Sequence, residues 1–165
     1  MLKKIDWDKR IFGIVPVYGV MPLIIAPIFN MLTFTGTRPL TQYLHHHDVY
    51  SKLDQAIPFC PEWMLVYVFA FPVWGIGFIM FAREERKICY ELFIAELLAK
   101  LLVLICFFVF PTVMVDPQVD PEFKVKIQHG FIGWLCRFVY GFDEPNNLFP
   151  SIHCLESWIL FRGAF

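Results

Sequence analysis

The chain has 165 residues, 58% of them apolar and 18% aromatic, with 14 Lys and Arg against 15 Asp and Glu. Soluble domains carry roughly 45–50% apolar residues, so this composition excludes an ordinary water-soluble fold. The net charge of −1 excludes an electrostatic nucleic-acid binder.

The N-terminal segment Met1–Arg10 is basic and leads into an uncharged stretch, Ile11 to Thr37, too long for the apolar region of a signal peptide. It reads as a retained first helix over 11–33, long enough for the roughly 20 residues that a bilayer crossing needs. Pro16, Pro22 and Pro27 imply kinks, which membrane helices tolerate when neighbours satisfy the freed carbonyls. Residues 38–61 mix charge, histidine and proline and read as a surface loop with one short helix around Gln42–Leu53. His45-His46-His47-Asp48 reads as loop decoration, because consecutive histidines point different ways. A second crossing is predicted over 63–82, followed by the charged turn Arg83–Lys87.

A third crossing is predicted over 88–115. Glu96 and Lys100 stand four apart in the favourable helical order and read as a self-satisfied pair near the cytoplasmic interface; an ionisable pair inside a membrane can also mark a site. Asp116-Pro117 ends the helix. Over 123–141 apolar residues recur at three and four, interleaved with Lys124, Lys126 and Arg137, the pattern of an interfacial helix that Gly130 and Gly133 weaken. A last apolar helix starts at Ile152 and runs to 165, too short for a full crossing. The fold class is therefore all-α: one polytopic membrane domain, 1–165, with three full crossings, an incomplete fourth and an interfacial helix.

Charge asymmetry sets the orientation. Residues 1–10 and 83–87 hold seven Lys and Arg in fifteen positions, while the much longer loops 34–61 and 116–150 hold five. Short basic segments stay cytoplasmic, so the N-terminus is expected inside and the loops outside, in a multi-pass cell-membrane protein. The five cysteines form no CxxC pair, and Cys89, Cys106 and Cys154, in apolar helical stretches, read as small buried hydrophobes, so neither a disulfide framework nor a zinc site is expected.

One constellation bears on chemistry: Asn146-Asn147-Leu148-Phe149-Pro150-Ser151-Ile152-His153. Pro150 breaks regular structure, Ser151 is placed as the N-cap of the last helix, and His153 falls in its first turn. Free amides and the helix dipole make such an end an anion site, and a histidine there can protonate a leaving oxygen. Equally, the same residues describe a capped helix with an incidental histidine. Glu156 shares a face with His153 and is placed to orient it or raise its pKa.

Pro150-Ser151-Ile152-His153 resembles the central motif of the type-2 phosphatidic acid phosphatase superfamily, in the branch similar to inositolphosphorylceramide synthases and bacterial membrane phosphatases. Asp54-Gln55-Ala56-Ile57-Pro58-Phe59-Cys60-Pro61 resembles a second element of that branch, in the right order and two crossings upstream. The resemblance implies a six-helix membrane bundle acting on lipid phosphate esters through a phosphohistidine. In it Ser151 binds phosphate, His153 is the general acid, and Pro150, Asn147 and Glu156 support them. No metal or cofactor is implied. The chain departs from the pattern twice. Asp116-Pro117 stands where the first motif has Arg-Pro, and Arg38-Pro39, an Arg-Pro pair elsewhere, has Met31 in place of its Lys. The third motif, which carries the nucleophilic histidine, does not occur before Phe165. The resemblance thus implies a truncated or degenerate member, with membrane lipids, a lipid phosphate, and a second copy or complementing chain as partners. The alternative is a non-catalytic membrane protein with a structural or interaction role.

Overall fold

The computed structural model describes residues 6–114, 121–143 and 146–164. Lys3 and Lys4, the Asp116-Pro117 break and Phe165 lie outside the described residues. The chain starts as a two-residue hairpin, β1 (Arg10–Ile11) and β2 (Val15–Pro16), paired antiparallel. Its turn holds Phe12 and Gly13 at φ 51° and 70°. Positive φ costs glycine little, so Gly13 suits its place and Phe12 is the strained residue. The hairpin corrects the first predicted boundary: α1 begins at Val17, not at residue 11, and runs to Phe34 with Pro22 and Pro27 inside.

Beyond α1 come α2 (Arg38–Thr41), β3 (His47–Asp48) and α3 (Lys52–Ala56). The single helix expected around Gln42–Leu53 is therefore replaced by two short ones. Helix α3 starts where it does because Ser51 and Asp54 form a capping box, each side chain closing on the other's backbone N–H. Helices α4 (Trp63–Phe81) and α5 (Arg86–Val109) follow. Helix α5 stops six residues before the predicted 115. Pro111 lacks an N–H, and Thr112–Val113 forms β4, parallel to β3, with His47 opposite Thr112. Val113 also bridges Asn146, so β4 joins the α2–α3 connection to the segment ahead of the last helix.

The predicted interfacial helix is broken in two, α6 (Pro121–Lys126) and α7 (Gly130–Tyr140). Gly130 has φ 77° at the break, and the Arg137 guanidinium donates to the Ile127 and Gln128 carbonyls that α6 leaves open. Phe123, Ile127, Leu135 and Cys136 pack with Met64 of α4. Phe131, Trp134, Phe138 and Phe142 form an exposed aromatic series, each ring 5.0–5.9 Å from the next. Trp134 is the one amphipathic ring of the series, the kind enriched at membrane interfaces. Helix α8 (Ile152–Gly163) closes the described chain.

Three segments, Val17–Thr41, Trp63–Phe81 and Arg86–Val109, are long and apolar enough to cross a membrane. Helix α4 is apolar all round and buries only Met64, as a lipid-facing helix does. Helix α5 is central, packed by α1, α4 and α8. Small residues set the close approaches. A Cβ on Gly19 of α1 would collide with the Ala82 carbonyl, and one on Gly77 of α4 would stand 2.6 Å from the Leu160 side chain of α8. The Tyr18 hydroxyl donates to the Glu84 carbonyl at 2.5 Å, and the Arg86 guanidinium lies 5.5 Å from the Trp7 ring. The N-terminal segment and the basic α4–α5 turn therefore sit at one end of the bundle.

Candidate functional site

Ser151 is the N-cap of α8: its backbone is extended and its Oγ accepts from the Cys154 N–H at 3.3 Å. Pro150 precedes it, and the Phe149–Pro150 peptide is cis. Two residues on, the His153 ring is walled by α4, with ring centres 4.5 Å from Tyr67, 5.1 Å from Trp74 and 5.8 Å from Phe71. Its Nε2 is buried and has no hydrogen-bond partner. The Trp74 indole N–H donates to Ser157 Oγ at 3.2 Å and holds α8 in register with α4.

Arg38 of α2 and Asp143 of the α7–α8 connection form a polar chain to the tyrosine beside this histidine. Arg38 Nη2 donates to Asp143 Oδ1 at 2.9 Å, and the Tyr67 hydroxyl donates to Asp143 Oδ2 at 2.6 Å. Tyr67 is the ring nearest His153. Arg38 also donates to the Phe142 carbonyl and lies over the Phe34 ring. The Asp54–Pro61 segment lines a cavity of about 570 Å³ together with Tyr67 and Asp143. The two sequence elements behind the family resemblance thus both meet Tyr67.

Outside the membrane-length helices, ionisable groups there are shifted. The Ser51 hydroxyl, then the Ser51 N–H, hold the Asp54 carboxyl below its usual range. Cys60 donates to Glu62 Oε2 at 2.9 Å, and that bond raises the thiol.

Asn147 is buried at φ 54°, a left-handed conformation that Asn adopts more readily than most residues. Its side-chain N–H donates to Thr37 Oγ1 at 3.2 Å, and its backbone N–H donates to the Thr112 carbonyl. Thr112 Oγ1 accepts from the N–H groups of Leu148 and Phe149. Asn147 therefore shapes the loop that delivers Pro150 and Ser151.

Glu156 lies elsewhere than expected. Its Oε1 is 2.7 Å from Lys100 Nζ, which also donates to Glu96 Oε1 at 2.5 Å and to the Ala26 carbonyl at 3.5 Å. The carboxylate read as the orienter of His153 is thus engaged by Lys100. The Glu96–Lys100 pair is present, but not at the end of α5 that carries the basic turn. At 1.5 Å per residue Lys100 stands about 21 Å along α5 from Arg86, against a hydrocarbon core of about 30 Å. All three side chains are at most 5% exposed.

Ser151 and His153 come together in one turn, Asn147 supports their loop, and Glu156 belongs to a separate cluster a turn deeper. The sequence reading missed Tyr67, Asp143 and Thr112, and it left the Lys100–Glu156 pairing unseen. One signal existed for the last: a lone acid in an apolar helix is costly unless paired. Among the described residues no three His, Cys, Asp or Glu are grouped to hold a metal ion. No family model, curated protein or solved structure matches this chain.

Proposed function

We propose that the protein handles phosphate esters of lipids at the outer face of the cell membrane, as a histidine-based phosphatase or phosphotransferase. The observation that carries this reading is the first turn of α8, where Ser151 caps the helix and the buried His153 Nε2 lacks a partner. The phosphate sits against Ser151 and the helix N-terminus, which favours negative charge. As the P–O bond to the leaving alcohol breaks, His153 passes its Nε2 proton to the departing oxygen. The attacking group is water or comes from a complementing chain. Purified protein in detergent with short-chain phosphatidic acid tests this by phosphate release. A His153→Ala variant should lose at least about 100-fold; equal rates for the two proteins refute the role.

The proposal also sets the N-terminus inside, because Arg10 and the Arg83–Lys87 turn lie at one end of the bundle and short basic segments stay cytoplasmic. Cys60, exposed in the opposite loops, should then react with a membrane-impermeant maleimide on intact cells in a Cys154→Ser background, and adding Cys60→Ser should abolish that labelling. Labelling that requires permeabilised cells inverts the orientation. A non-catalytic membrane role is the second reading. It is favoured by Asp143, which pairs with the Arg38 guanidinium that would otherwise suit phosphate.

A further inference from the structure

The Glu96–Lys100–Glu156 cluster takes no part in the chemistry proposed for Ser151 and His153. Two carboxylates share one ammonium, so the cluster formally carries one negative charge in excess within the helix bundle. Lys100 has three N–H donors, and its three acceptors are Glu96 Oε1, Glu156 Oε1 and the Ala26 carbonyl. Lys100 therefore has nothing left for Glu156 Oε2. That atom is buried without a hydrogen-bond partner, on a side chain 5% exposed.

The same three residues line a cavity of about 470 Å³ between α1 and α4. Small-molecule sites are typically about 300–1,000 Å³. Asn30 lines it too, and its Oδ1 is a second buried acceptor with no partner. Phe71, Trp74 and Phe78 supply aromatic rings to the wall. Two orphaned acceptors, an excess negative charge and ring faces describe the complement of one ligand class. A cation supplies the charge, its N–H groups supply the missing donors, and aromatic faces attract it.

We propose that this cavity binds a small primary ammonium with an apolar substituent, its N–H groups on Glu156 Oε2 and Asn30 Oδ1 and its charge balancing the Glu96–Lys100–Glu156 cluster. The apolar tail lies among the leucine, phenylalanine and isoleucine side chains of α1 and α4.

The test is calorimetric titration of the full chain in detergent with n-hexylammonium, and with n-hexanol as the neutral analogue. Saturable one-to-one binding of hexylammonium, at least tenfold tighter than hexanol, is expected. Glu156→Gln removes the excess charge and should weaken binding at least tenfold. Gly75→Leu is the second variant, because Gly75 lines the cavity and a Cβ there meets nothing within 4 Å. It should block binding while leaving the ion cluster intact, which keeps the test decisive if Glu156→Gln fails to fold. No saturable binding, equal binding of hexanol and hexylammonium, or wild-type affinity in Gly75→Leu each overturns the proposal. Phosphate release plays no part in the readout, so the fate of the lipid-phosphate reading does not affect it.

Discussion

Lys100→Met removes the cation that two buried carboxylates share. Each contact is short, 2.5 Å to Glu96 and 2.7 Å to Glu156. At an effective dielectric constant near 20 each attraction is worth about 6 kcal/mol before desolvation. Desolvation costs several kcal/mol for each of three ions, so the intact cluster adds little net stability. Removing the lysine is different, because the desolvation of Glu96 and Glu156 remains and nothing offsets it. Breaking a buried pair in this way costs about 3–5 kcal/mol. Reversible unfolding in mixed micelles, followed by tryptophan fluorescence, should show that loss for Lys100→Met. The triple variant Glu96→Leu, Lys100→Met, Glu156→Leu removes every charge and should recover it, matching or exceeding wild type. A single variant that loses less than about 1 kcal/mol, or a triple variant no more stable than the single, refutes the reasoning.

Three further outcomes follow from the packing and capping. Gly19→Ala drives a methyl into the Ala82 carbonyl, a backbone atom that cannot swing away; overpacking of this kind costs about 1–3 kcal/mol in the same unfolding assay. Ser151→Ala deletes the acceptor for the Cys154 N–H. It should cost about 1 kcal/mol, with faster amide exchange confined to the first turn of α8. Asp54 has a folded carboxyl pKa below the unfolded value, because the Ser51 hydroxyl and N–H bind its ionised form. The capping box therefore contributes stability above the unfolded titration range, near pH ~4, and loses it as pH falls through the lower folded value. Amide exchange in α3 should accelerate below that range, and Asp54→Asn should flatten the dependence.

The membrane character was legible because it needs only composition and run length. Helix α4 shows it plainly: its nineteen residues carry no charge and are long and apolar enough to cross a membrane. The Ser151 cap was legible for a similar reason, since capping is local and depends on a hydroxyl two or three residues from an open N–H. Boundaries set by pairing were not. Helix α1 loses six predicted residues to the Arg10–Pro16 hairpin, and α5 loses its end to the pairing of β4 with His47–Asp48. A strand pair draws on partners far along the chain, and apolar periodicity carries no trace of them. The 123–141 helix failed at Gly130, where positive φ and an arginine closing onto carbonyls of the preceding turn outweighed the three- and four-residue pattern.

The side-chain partners divide in the same way. Sequence alone determined that Glu96 and Lys100 share a helix face, because four residues is one turn. It determined that Ser151 and His153 occupy one helix start. It also raised the question of Glu156, an acid among apolar neighbours. Only the tertiary structure decided that Glu156 answers to Lys100 rather than to His153, and that Asp143 joins Arg38 to Tyr67 across 76 and 105 positions of chain. The reason is physical: contacts within a turn follow from helix geometry, whereas contacts between helices depend on which faces meet once small residues such as Gly19 and Gly77 let the backbones close.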